Sequence, residues 1–168
     1  LADVKGYDQW VGAGPRPGAS VTDVGLRGEP SIETVAGLDP DLIIDESWGY
    51  EYVEQLKTLA PTLVYYPYPK DGEGQFERMQ AVVRSLGQAL GRDAEAETVL
   101  ADLDTSIATA KASIAAAGAT GQRFVFVQAW GKDDPGMRIF TKDSMVSQVL
   151  ERAGLVNAWE QPGDYGFS

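Results

Sequence analysis

Apolar positions along the first part of the chain alternate between short continuous runs and runs at helical spacing. SVTDVG (Ser20–Gly25) reads as a short strand. SIETVAGL follows, with Ile32, Val35 and Leu38 at helical spacing behind Ser31 as N-cap. DLIIDE (Asp41–Glu46) is an apolar run suited to a buried parallel strand. YEYVEQLKTLAP sets Val53, Leu56 and Leu59 on one helical face and stops at Pro61, and TLVYY (Thr62–Tyr66) is a further strand. Strand, helix, strand, helix, strand predicts a parallel sheet with right-handed crossovers.

At YPYPKDGEGQ this alternation breaks, and two helical patterns follow with no strand between them. In the first, Phe76, Met79, Val83, Leu86 and Leu90 form a stripe that Gly91 is placed to end. The second runs from near Asp93 to about Ala117, with Ala96, Val99, Leu103, Ile107, Ala110 and Ile114 on one face. At about 1.5 Å per residue such a helix reaches about 35 Å, enough to cross a domain. Strand patterns then resume in RFVFVQAW (Arg123–Trp130) and MRIFT (Met137–Thr141), with a turn at KDDPG. A helix SMVSQVLERAG closes at Gly154, and the last stretch, LVNAWEQPGDYGFS, ends in a loop. One nearly complete α/β unit, a long helix and the start of a second unit are expected, as in a piece of a longer protein.

Composition removes several functions. The 168 residues include 25 acidic and 14 basic side chains, a formal charge of −11, which disfavours a nucleic-acid phosphate backbone as partner. The chain has neither cysteine nor histidine. It therefore lacks the donors of disulfides, zinc–thiolate sites and iron–sulfur clusters, the usual acid–base switch, and the commonest transition-metal ligand. VGAGPRPG (Val11–Gly18) invites a phosphate-loop reading, but Pro15 and Pro17 have no N–H to offer an anion, so a surface loop is expected. No run of about 18 apolar residues suits a membrane span. An opening LADVKGYD without methionine suggests that any export signal lies upstream.

The ordered set ADVKGYDQWV, DVGLRGEPSIETV, LDPDLIIDESWGY, then Phe140, Ser144, Leu150, Gly154 and NAW (Asn157–Trp159), resembles the ferric-siderophore-binding proteins of bacterial ABC importers, the ferric-hydroxamate type above all. The resemblance covers nearly the whole chain. It implies an α/β fold of two Rossmann-like lobes with parallel sheets, joined by a long interlobe helix. Residues 1–70 would form the N-terminal lobe, lacking its first strand and helix. Residues 71–118 would form a helical connector, and 119–168 the start of a truncated C-terminal lobe.

The implied activity is capture of a ferric siderophore and its delivery to the importer's membrane subunits, outside the cytoplasm, by a monomer with no cofactor, no directly bound metal and no enzymatic step. In open α/β sheets ligands sit beyond the carboxyl ends of the strands, and Arg27 follows such an end. A guanidinium presents several N–H donors in a rigid fork suited to the chelating oxygens around Fe³⁺. The resemblance gives Arg27 that role; read alone, it fits a surface or structural salt bridge, with Glu29 as the candidate partner, better. Tyr50 matches a tyrosine that donates to an iron-bound oxygen. The match needs a one-residue insertion, so Trp48 and Tyr50 share the place, the alternative being that both cap the sheet edge. Tyr165 stands where the relatives have a tryptophan lining the cleft.

Arg138 departs from the family, whose matching position is apolar. Strand alternation sets it opposite Met137 and Ile139, and an arginine there calls for an anion. A second arginine favours an anionic ligand, so carboxylate or citrate-hydroxamate siderophores stand beside neutral hydroxamates; a surface arginine on an edge strand is the alternative. Trp130 is a candidate apolar wall, while Tyr65, Tyr66 and Tyr68 are expected in core and hinge packing. Glu54, off the Val53/Leu56 stripe, matches a glutamate that pairs with an arginine of the permease; plain solvation is its alternative. A corrinoid, haem or bare metal as cargo is the competing reading. A nitrogenase-like reductase is disfavoured by the missing cysteines.

Overall fold

The computed structural model describes residues 18–26, 28–46, 51–68, 73–131, 134–164 and 166–168. The chain divides into two compact units, Leu1–Tyr66 and Pro67–Ser168.

In the first unit, β1 (Gly25–Leu26) and β2 (Glu29–Pro30) form an antiparallel hairpin. The strand expected over 20–25 is therefore not formed: residues 20–24 are irregular and only Gly25 pairs. The cause is local. The Asp23 carboxylate accepts the Gly25 N–H at 3.0 Å, and Gly25 takes φ +104°, so the chain turns where an extended strand would have continued.

Helix α1 (Ile32–Gly37) starts as expected, with the Ser31 hydroxyl accepting the Thr34 N–H at 3.2 Å. Strands β3 (Ile43–Glu46) and β4 (Thr62–Tyr65) pair in parallel, from Ile43 opposite Thr62 to Glu46 opposite Tyr65. Helix α2 (Tyr52–Leu59) connects them and buries Val53 and Leu56. The parallel crossover is thus present, but the hairpin takes no part in its sheet. DLIIDE is also less buried than an inner strand would be. Ile44 is 47% exposed beside an apolar cavity of about 390 Å³ lined by Val24, Val35, Leu38, Ile43 and Leu56. Tyr66, expected in packing, is 53% exposed.

In the second unit, α3 (Gln75–Leu90) ends at Gly91 in the left-handed conformation, φ +65°. Helix α4 (Asp93–Ala116) packs back on it, with Gly87 so close to Ala96 that a Cβ at residue 87 would lie 2.6 Å from the alanine's. The buried stripe of α4 runs through Ala96 and Leu100, with Leu103, Ile107 and Ile114 half-buried. Val99 is 58% exposed and Ala110 is exposed, against expectation. Steps of three and four both stay on one helical face, and contact with α3 selects Leu100 over Val99.

RFVFVQAW is not one strand. β5 (Arg123–Phe124) pairs in parallel with β8 (Val156–Asn157), whereas β6 (Val127–Gly131) pairs antiparallel with β7 (Asp134–Ile139), with an irregularity between Ala129 and Gly131. The chain breaks at Val125–Phe126 because its halves serve different partners. Of the expected turn KDDPG, Asp134–Gly136 belong to β7, Asp134 pairing with Gly131, and residues 132–133 lie outside the described residues. The terminal stretch begins with β8, and near its end Phe167 forms an isolated bridge with Phe140. Helix α5 (Met145–Arg152) begins at Ser144, whose hydroxyl accepts the Ser147 N–H at 3.3 Å.

Candidate ligand-binding site

Arg27, Trp48, Tyr50 and Tyr165 lie outside the described residues, and for Trp130 only the backbone, in β6, is described. Their sequence neighbours are well placed. Leu26 and Glu29, on either side of Arg27 and Gly28, are paired across the hairpin. The hairpin is tied to the start of α1 by the Ser31 N–H, which donates to the Val24 carbonyl at 2.7 Å. Residues 47–50 follow the carboxyl end of parallel strand β3, the end where such sheets meet ligands.

Arg138 is described. It sits on β7 opposite Gln128 and is half-buried. Its guanidinium carbon lies over the Phe167 ring, 4.3 Å from the centroid. Phe167 meets Phe140 edge-on, centroids 5.2 Å apart at 86°, and Phe140 meets Phe126 likewise at 5.1 Å and 82°. Tyr68 approaches Phe167 at 5.8 Å, so it is part of this cluster. Sequence reading named Arg138 but missed Phe126, Phe140 and Phe167 as its setting. The one available signal was the aromatic pair in GDYGFS, where Phe167 stands two residues after Tyr165.

Glu54 is exposed on the first turn of α2 and pairs with Lys57 at 2.7 Å. That contact, together with the carboxylate's charge, raises the Lys57 pKa above its ordinary value. Asp45, also missed, is drawn into the first unit on β3. Burial raises its pKa, only partly offset by the Tyr52 hydroxyl, which donates to Oδ1 at 3.3 Å, while Oδ2 meets no donor among the described residues. Among the described residues no helix is long and apolar enough to cross a membrane.

The profile describing periplasmic binding proteins matches residues 1–166. The chain belongs to the periplasmic binding protein family. The α/β class and the membership read from sequence therefore hold. Among its relatives, the iron(3+)-hydroxamate-binding protein FhuD of Escherichia coli strain K12 is 28% identical over 163 residues, covering 95% of this chain and 52% of the relative. The Fe(3+)-citrate-binding protein YfmC of Bacillus subtilis strain 168 is 31% identical over 94 residues, covering 55% and 29%. The solved structure of the siderophore-binding FhuD from Vibrio cholerae with Fe³⁺–Desferal superposes at a TM-score of 0.82 and 26% identity, covering 99% of this chain and 62% of that one. This periplasmic binding protein chain thus spans about half the length of the FhuD relative from E. coli.

Proposed function

We propose that the chain is the ferric-siderophore-binding part of an extracytoplasmic solute-binding protein that hands its ligand to an ABC permease for iron uptake. The observation carrying this is the likeness, over 99% of the chain, to a relative solved with a ferric hydroxamate chelate. In this reading Arg27 donates to the chelating oxygens around Fe³⁺, and Tyr50 and Trp48 supply the hydroxyl and ring beside them. Tyr165 and Trp130 add aromatic wall, and Arg138 adds a second cation. Glu54 meets the permease. Residues 1–70 and 119–168 belong to two lobes with the connector 71–118 between them in sequence. The protein acts as a monomer, free in the periplasm or anchored at the outer face of the cell membrane, and capture needs neither cofactor nor covalent chemistry.

A tryptophan-quenching titration of the natural full-length protein tests this. A ferric hydroxamate or citrate-hydroxamate is expected to bind at low-micromolar concentration or better, about −8 kcal/mol. Arg27→Ala is expected to abolish quenching, and cobalamin and haem not to compete. Tight cobalamin binding without response to any ferric chelate overturns the reading.

A further inference from the structure

We propose that Asp45 and Tyr52 form a clamp that ties together the two ends of segment 47–50, making both of them positioning residues for the ferric chelate that Trp48 and Tyr50 contact. The proposal rests on the siderophore reading above and deepens it.

Segment 47–50 has an anchored element on either side. Upstream, β3 pairs in parallel with β4 as far as Glu46 opposite Tyr65. Downstream, α2 buries Val53 and Leu56. Yet α2 begins without a capping side chain: Glu51, at its N-cap, makes no side-chain bond to the first turn. The helices that begin behind Ser31 and Ser144 both have such a bond. At α2 the described tie is of another kind. The hydroxyl of Tyr52, the first residue of the helix, reaches back seven positions and donates to Asp45 Oδ1 at 3.3 Å. Asp45 is the last residue but one of β3, so this bond joins the end of the strand to the start of the helix.

A carboxyl group is costly at this place. Strand alternation sets Asp45 on the same face as Ile43. Both line the apolar cavity, together with Leu56 of α2, and the other side chains around it are apolar except Glu46 and offer no donor. Burial raises the Asp45 pKa, and Oδ2 has no partner among the described residues. A valine there would avoid that cost, so packing alone does not account for the residue. What the carboxyl group does and an alkyl group cannot do is accept the Tyr52 hydroxyl.

Residues 47–50 follow the carboxyl end of a parallel strand, where such sheets meet ligands. Side chains on a segment with both ends fixed lose less freedom on binding than those on a loosely held one. The clamp therefore acts on affinity through Trp48 and Tyr50, without touching the ligand.

The test measures the affinity of the natural full-length protein for ferric Desferal and ferric citrate by tryptophan quenching, with folding of each variant checked by circular dichroism. Tyr52→Phe removes only the hydroxyl and is expected to weaken whichever chelate the unsubstituted protein binds by about fivefold. Asp45→Ala should weaken it equally, and the double variant no further, because both substitutions break the same bond. Asp45→Asn keeps an acceptor oxygen for Tyr52 and should bind within about twofold of the unsubstituted protein. Thr62→Val is the control for stability alone. It removes the hydroxyl bond to the Ala60 carbonyl, 2.9 Å long, at the amino end of β4, and should lower the urea midpoint while leaving affinity unchanged. Should Asp45→Ala not fold, Tyr52→Phe alone and combined with Asp45→Asn carries the comparison, and the two should bind alike. Three results overturn the clamp and leave the siderophore reading standing: undiminished affinity in Tyr52→Phe, additive losses in a double variant, or a loss in Thr62→Val equal to that in Tyr52→Phe. Failure of the unsubstituted protein to bind either chelate removes that reading and the clamp with it.

Discussion

Gln75 and Gln148 each cap the helix to which the other belongs. The Gln75 side-chain oxygen accepts the Met145 N–H at the start of α5, and the Gln148 oxygen accepts the Phe76 N–H at the start of α3, both at 2.7 Å. The first N–H groups of a helix have no partner within it, so two open ends are closed reciprocally. Arg152 strengthens the junction by lying 4.0 Å over the Phe76 ring while pairing with Glu77. Either Gln75→Ala or Gln148→Ala leaves one N–H of this junction without its acceptor, a loss of about 1–3 kcal/mol. Urea unfolding should show a lower midpoint with unchanged slope; an unmoved midpoint in both variants would show the clasp to be ornamental.

Asn157 ties three segments of the second unit together. Its amide nitrogen donates to the Phe140 carbonyl at 3.1 Å and to the Ser147 hydroxyl at 2.9 Å, while its oxygen accepts the Trp159 N–H at 2.9 Å. The residue is 2% exposed, so little water can replace those partners. Asn157→Ala is expected to destabilise by about 2–4 kcal/mol, more than either glutamine variant, because several buried groups lose their partner at once. A loss below that of Gln148→Ala would count against it.

What could be read from sequence was mostly local. The cap at Ser31, the stop at Gly91 and the extent of α4 all follow from residues within a few positions of one another. The failures came where a distant partner decided the outcome. Leu100 replaced Val99 on the buried stripe because α3 lies on that side, and RFVFVQAW split because β8 claims one half and β7 the other. Gln75 and Gln148, or Arg138 and Phe167, are far apart in sequence, and no periodicity links them. Asp23 is the exception, a local signal that was missed: an Asx turn ended the first expected strand.

The candidate site divides in the same way. Arg27, Trp48, Tyr50 and Tyr165 were named through ordered motifs and lie outside the described residues; the strand expected to lead into Arg27 is instead one side of a two-residue hairpin. Arg138 stood out because a charged residue interrupted an apolar strand. Its aromatic brace and the burial of Asp45 are tertiary facts, which composition and spacing do not carry.

Asp45 should make stability depend on pH. Burial raises its folded-state pKa above the ordinary 3.8, so over the interval between the two values the folded chain holds a proton that the unfolded chain has released. Stability from this group is therefore fully present below 3.8 and lost as pH rises through the folded value. Asp45→Asn keeps an oxygen for the Tyr52 hydroxyl and removes the titration. Its stability relative to the unsubstituted protein should rise from acid toward neutral pH and then level. A difference that stays flat across that range, measured by urea unfolding, contradicts the assignment.

Glu54 separates stability from delivery. Its ion pair with Lys57 is exposed on both sides, and such pairs contribute little to folding. Glu54→Gln is expected to leave the thermal midpoint and ferric-chelate affinity unchanged while reducing uptake by cells that depend on this protein for iron. Uptake at the unsubstituted level would remove Glu54 from the docking surface.

Gly25 offers the sharpest test of whether the hairpin positions Arg27 for the proposed ligand. At φ +104° an L side chain is strained, and a Cβ there would meet the Glu29 carbonyl oxygen at 3.2 Å and the Ser31 nitrogen at 3.4 Å. Gly25→Ala should therefore cost about 1–3 kcal/mol locally. β1 and β2 have only two residues each, so few other ladder bonds hold the turn. The strain should be relieved by distorting the hairpin next to Arg27, with ferric-chelate affinity falling more than global stability. Gly37→Ala is the matched control: Gly37 ends α1 with nothing within 4 Å of an added Cβ, so the change should be neutral or slightly stabilising and leave binding alone. If Gly25→Ala binds the chelate as tightly as Gly37→Ala does, the hairpin geometry is not what positions Arg27 for its ligand.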